Sequence, residues 1–284
     1  LNQGGMHGAT ENPRVEISAA QMIGDNVHVV GMYDVLEDKK YLYLIMPYFG
    51  TDLFDAVQAA SNENDANAMT NDNNDDDNDE AVNNTQPEAT ILLTTLCRNL
   101  LYLQQQSIIH RDFSPENVIV HRLHGEDCCP LIDFAMALQC ATLEGQSLSI
   151  VPQPTACGKL PYMAPEVVRG DALDFGVDVY ALGCTLFFLW TGGKLLYDQP
   201  GDRCFDFFVR ANGIREAPQV DMDLWFSIQD LPSDWHPILE KLPLVQNLTD
   251  AQRDLLANML YLDPTERLTV PEILQHAYLQ QEQP

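Results

Sequence analysis

The order of apolar patterns along these 284 residues predicts an α+β fold, with a small strand-bearing part ahead of a larger, mostly α-helical one. Three observations carry the prediction. Residues 31–49 hold two strand-like stretches, GMYDVLED and KKYLYLIMPYF, joined by an acidic-basic turn, LEDKK. Residues 89–106, ATILLTTLCRNLLYLQQQ, repeat apolar side chains at helical spacing. From Asp178 to Trp190 the chain is apolar nearly all round, the pattern of a helix buried on every side.

The remaining elements follow in order. PRVEISAAQMI (13–23) sets Val15, Ala19, Met22 and Ile23 on one face of a short helix that has Pro13 at its start. TDLFDAVQAA begins another helix, capped by Thr51 or Asp52. The Asn/Asp tract at about 61–87 interrupts it. Without aromatics it cannot build a core, so it is expected as a disordered acidic insertion. DNNDDDNDE lacks the glycine and spaced terminal glutamate of a calcium loop. ENVIVHRL and PLIDFAMAL form a short hairpin with Cys128 and Cys129 at its tip, and loop follows to about Pro165. Two or three further helices end in TDAQRDLLANMLYL and TVPEILQHAYLQ, and no internal repeat is visible.

Composition narrows the function. Hydrophobic residues make up 45% of the chain, enough for a core. No apolar run approaches the roughly 20 residues of a membrane span, and no basic-then-apolar leader opens the chain. The net charge is -27, from 42 acidic and 15 basic side chains; taking away the eight acidic residues at 62–80 still leaves -19. That charge disfavours nucleic acid and anionic membranes and fits basic peptides or partners. Seven scattered cysteines without a C-x-x-C pair or metal spacing fit reduced thiols in a cytoplasmic or nuclear setting.

Five motifs then fall in order: HRDFSPEN at 110–117, Asp133-Phe134-Ala135, Ala164-Pro165-Glu166, DVYALGC at 178–184 and DPTERLT at 263–269. Together they resemble the eukaryotic protein kinase superfamily, specifically serine/threonine kinases, over about residues 11 to 279 apart from the acidic insertion. The family's forms are H-R-D-x-K-P-E-N, D-F-G, A-P-E, D-x-x-x-x-G and D-P-x-x-R-x-T. The resemblance implies a protein kinase-like fold with a mostly helical large C-lobe at 50–284 and a partial small N-lobe at 1–49, its first strands missing. It also implies roles, which are the family's. Asp112 would accept the substrate hydroxyl's proton, while Asn117 and Asp133 would hold Mg²⁺ against the phosphates of ATP. Met46 would be the gatekeeper behind adenine. The Pro47 carbonyl and the Phe49 N–H would bind the base, Asp52 would reach the ribose, and Glu16 resembles the helix glutamate of the phosphate-binding lysine pair. Asp178 would brace the catalytic-loop backbone, and Glu166 with Arg267 would form a buried ion pair.

The departures are as informative. The family's loop lysine is Ser114 here, and the threonine of C-G-T-x-x-Y-x-A-P-E is Lys159 in CGKLPYMAPE. A lysine has become a hydroxyl and a hydroxyl a lysine, at two positions that touch in the family's fold, so a cation can still reach the site. Lys159 therefore joins Asp112 and Asn117 as a candidate catalytic residue. Ala135 in place of glycine fits any conformation with negative φ. Ahead of Glu16, LNQGGMHGATENPR holds no V-A-I-K-like strand and no G-x-G-x-x-G, and the chain opens on Leu1, which leads to the expectation of a fragment of a longer protein.

The resemblance thus implies a serine/threonine kinase that moves the γ-phosphate of ATP to a protein hydroxyl. A non-catalytic pseudokinase scaffold is the alternative. Arg111 ahead of the catalytic Asp implies control by an upstream activating kinase, with Thr142, Ser147, Ser149 and Thr155 as acceptors.

Overall fold

A computed structural model describes residues 13–24, 26–48, 50–70, 89–123, 126–140, 157–196, 239 and 243–280. Helix α1 (Pro13–Ile23) matches the amphipathic segment, burying Ala19 and Ile23 and stopping at Gly24, whose φ of 70° lets the chain turn away. Strands β1 (Asp34–Glu37) and β2 (Leu42–Ile45) pair antiparallel with Asp34 opposite Ile45. Asp38 closes their turn by accepting the Lys40 and Tyr41 N–H groups at 2.6 and 2.7 Å.

Asp52 is the residue that caps helix α2 (Leu53–Thr70), accepting the Asp55 N–H at 2.8 Å. The helix does not stop at residue 60; it continues through 61–70, where the sequence led us to expect disorder. The reason lies in the turns before. Gln58 and Ser61 donate to the carbonyls of Gly193 and Gly192, and each residue added to an anchored helix gains a hydrogen bond at little cost. The rest of the expected insertion, 71–87, lies outside the described residues.

Helix α3 (Ala89–Gln105) buries Leu92, Leu93, Leu96, Leu100 and Leu103. It also buries Asn99, which donates to the Cys129 carbonyl at 2.6 Å and meets His28 Nδ1 at 2.8 Å. With the Tyr102 hydroxyl donating to the Ile23 carbonyl, these bonds fasten the segment after α1 onto the helical part.

Strand β3 (Ile108–Ile109) pairs with β6 (Leu138–Gln139), and β4 (His121–Leu123) with β5 (Glu126–Cys128). The expected hairpin exists, but Cys128 stands opposite His121 on the return strand, so the two cysteines are not its tip. Of PLIDFAMAL, Leu131 bridges Val118 and Val29, whereas Leu138 pairs with Ile109.

Helix α4 (Pro165–Arg169) leads into α5 (Gly176–Trp190), whose residues Val177 to Phe188 are all buried, in line with its all-round apolar sequence. It packs against α3 and against α6 (Asp250–Met259). Helices α7 (Val270–Leu274) and α8 (Ala277–Gln280) divide TVPEILQHAYLQ between them. Among the described residues no helix is long and apolar enough to cross a membrane.

Candidate active site

Residues 110–117 are held from below by one carboxylate. Asp178, buried on α5, accepts the backbone N–H groups of His110 and Arg111 at 2.8 and 2.9 Å. Burial pushes its carboxyl above the ordinary aspartate range, and the two N–H donors and nearby His110 and Arg111 pull it back. His110 is itself buried against Phe134, ring centroids 4.8 Å apart, with Nε2 on the Ile132 carbonyl at 3.0 Å. The chain turns at Arg111 (φ 68°), and Pro115 starts a single 3₁₀ turn to Asn117.

This frame gathers the candidate residues. Asn117 Nδ2 donates to the Asp112 carbonyl at 2.8 Å and to Asp112 Oδ2 at 3.1 Å. The Lys159 backbone N–H donates to Asp112 Oδ1 at 3.0 Å. The Lys159 ammonium lies 3.6 Å from Asp112 Oδ2 and donates to Ser114 Oγ at 2.8 Å. It is also 3.9 Å from Glu116 Oε2.

Gly158 makes the approach of Lys159 feasible. Its φ is +96°, and a Cβ there would stand 2.5 Å from the Arg111 carbonyl oxygen. Neighbouring Cys157 receives a hydrogen bond from the Arg111 guanidinium. Burial pushes the Cys157 thiol up, against the pull of Arg111.

Asp133 is joined to this group through the backbone, because the Ile132 N–H donates to the Asn117 carbonyl at 3.0 Å. Asp133 takes φ 63°, and its Oδ1 accepts the Ala135 N–H at 3.2 Å. Ala135 is absent from the positive-φ positions, so the alanine sits without strain. The donor set fits a magnesium ion shared with phosphates. Asn117 turns its amide nitrogen to Asp112, leaving Oδ1 as a hard acceptor, and Asp133 keeps Oδ2. Two such oxygens suffice where phosphates and water complete the shell. Among the described residues no three His, Cys, Asp or Glu side chains gather into a protein-only cage.

The other candidates stand outside this hydrogen-bonded group. Met46 and Pro47 follow β2, and Met46 is exposed. Phe49 lies outside the described residues, as do Thr142, Ser147, Ser149 and Thr155. Asp52 caps α2 while its backbone bridges Ile119, just past residues 110–117. Glu16 is half-buried in the first turn of α1. Below the site, Arg267 and Glu166 form the ion pair the resemblance implied, with contacts of 2.6 and 3.0 Å at almost complete burial. Glu116 and Gly158 are the contributors sequence reasoning passed over. Both lie inside the quoted motifs, where they served only as signature letters.

The protein kinase domain family model matches residues 4–279. The serine/threonine-protein kinase DCLK3 of Mus musculus is 29% identical over 256 residues, covering 89% of this chain and 26% of that protein. Its Homo sapiens counterpart is 28% identical, covering 89% and 31%. The ribosomal protein S6 kinase 2 alpha of Gallus gallus is 25% identical over 272 residues, covering 95% and 30%. The chain therefore spans less than a third of the length of these relatives.

Proposed function

The chain belongs to the protein kinase family, and from that premise we propose that it is a protein serine/threonine kinase, transferring the γ-phosphate of ATP to a hydroxyl of a protein substrate. The observation that carries the reading is the Asp112 carboxylate, held at both oxygens and faced by an ammonium. Phosphoryl transfer needs alignment and charge neutralisation more than covalent help. Asp112 takes the proton of the attacking hydroxyl and aims its oxygen. Asn117 fixes the rotamer of Asp112 and, with Asp133, supplies oxygen ligands for Mg²⁺. Bound there, the ion neutralises charge on the phosphates. Lys159 brings the cation that the family draws from position 114, and Ser114 receives that cation's hydrogen bond. By the family's pattern Met46, Pro47 and Asp52 would take the adenosine side, and Glu16 would belong to the helix side. The strong negative charge favours basic protein substrates.

A second reading, a pseudokinase scaffold, draws on one specific observation: the position where the family carries its loop lysine holds a buried serine, Ser114. Transfer of labelled γ-phosphate to a basic protein substrate, compared between wild type and Asp112→Asn, separates the two. The kinase reading expects transfer that falls about 10²–10⁴-fold in the variant. Transfer unaffected by the variant, or undetectable in wild type at saturating Mg-ATP, overturns it.

A further inference from the structure

We infer that Glu116 is a positioning residue for Lys159, holding its ammonium off Asp112 so that the carboxylate stays open to a substrate hydroxyl. The inference rests on the proposed kinase reading of Asp112 and Lys159. Its evidence is the balance of contacts around one nitrogen. Among the described residues, Lys159 Nζ has closed to hydrogen-bond distance only with the neutral Ser114 Oγ, at 2.8 Å. From the two carboxylates it keeps nearly equal and longer distances, 3.6 Å to Asp112 Oδ2 and 3.9 Å to Glu116 Oε2.

An ammonium on a flexible four-carbon stem beside a single carboxylate would close to about 2.8 Å. Two carboxylates at similar distances divide the pull. Glu116 Oε2 is buried and accepts no hydrogen bond from the described residues, so Lys159 is the counter-charge it faces. Tyr162, three residues beyond Lys159, does not relieve it. Its own hydroxyl is buried without a partner among the described residues, and its ionisation is pushed up first by burial and next by Glu116. The Pro115-initiated turn fixes the geometry by placing Glu116 on the same turn as Ser114 and Asn117. Asp112 Oδ2 is then left with one firm donor, Asn117, and room for the proton it must accept.

The test needs one readout that does not depend on turnover and one that does. In a crystal structure of Glu116→Gln, Lys159 Nζ should move from 3.6 Å to about 2.8 Å from Asp112 Oδ2. In steady-state kinetics the same variant should lose about tenfold in kcat with KM for ATP little changed, since displacing a catalytic group by 1 Å costs up to about 10²-fold. Glu116→Asp, which keeps the charge, should recover part of that loss, and Glu116→Gln should add nothing once Lys159 is Thr. An ammonium that stays between its neighbours in the Glu116→Gln crystal overturns the inference. So does a loss confined to KM for basic peptides, which would make Glu116 a substrate contact. Absence of turnover in wild type counts against the kinase reading, while the crystallographic comparison still decides the role of Glu116.

Discussion

Exchanging Ser114 and Lys159 should separate a relocated catalytic cation from a decayed one. The ammonium–carboxylate attraction at 3.6 Å is worth about 5 kcal/mol at an effective dielectric near 20 and about 1 kcal/mol in bulk water. The Lys159 side chain is 37% exposed and that of Asp112 12%, so the working value lies between these limits, at a few kcal/mol. Loss of one such preorganised donor costs about 10²–10³ in rate, the range expected for Lys159→Thr even though threonine is the family's usual residue there. Ser114→Lys alone should also be harmful, for two reasons. Ser114 is fully buried, so a lysine has no space, and the new ammonium would meet the one already 2.8 Å from Oγ. With both changes made, the space vacated by Lys159 receives the new side chain. The double variant should return to within about tenfold of wild type in kcat, an interaction of several kcal/mol. The assay is a double-mutant cycle on kcat at saturating Mg-ATP. Simple addition of the two losses would refute the partnership, and Ser114 would then count as evidence for a failing enzyme.

Arg267→Met should destabilise the fold by about 3–5 kcal/mol in urea denaturation, because it strands the buried Glu166 carboxylate and removes the donors to the Tyr261 and Gly176 carbonyls. A loss under about 1 kcal/mol would show that the pair does not lock the helical part. At the start of α7, the Thr269 N–H and hydroxyl hold the Glu272 carboxyl below its ordinary range. A depressed folded-state value contributes stability that is present above the unfolded value of about 4.3 and is lost as pH falls through the folded one. The gap in Tm between wild type and Glu272→Gln should therefore narrow as pH drops below about 4; a constant gap would contradict the hydrogen-bond origin of the shift.

The helices whose side chains face a core were legible in the sequence, because periodicity records the face. Helix α1 matches its predicted bounds, and α5 is buried as its uniform apolarity requires. Helix α2 beyond residue 60 was not legible. Its composition is that of a solvated tract, and what extends it is a pair of bonds to Gly192 and Gly193, more than 130 residues away. Asn99 was hidden for the opposite reason. It sits among leucines on a helix whose period predicts only core, and its partners His28 and Cys129 come from two other segments. The hairpin after residues 110–117 was recognisable, but its register was not, since nothing in the local pattern distinguishes Cys128 at a tip from Cys128 opposite His121.

The candidate site shows the same division more sharply. A motif fixes residue type against position, so the exchange between 114 and 159 stood out as two departures of complementary chemistry. Whether they meet is a matter of how a second loop arrives. That arrival depends on Gly158, because any side chain there would collide with the Arg111 carbonyl oxygen, and φ of +96° is costly for every other residue. A lysine at 114 would need only its own turn to reach the site. A lysine at 159 needs two loops in register, joined by its own N–H on Asp112 and by the Arg111 contact to Cys157. Moving the cation from one loop to the other therefore makes its placement conditional on the second loop's docking. A disturbance of residues 157–159 would withdraw the ammonium and the bond that orients Asp112 in a single step.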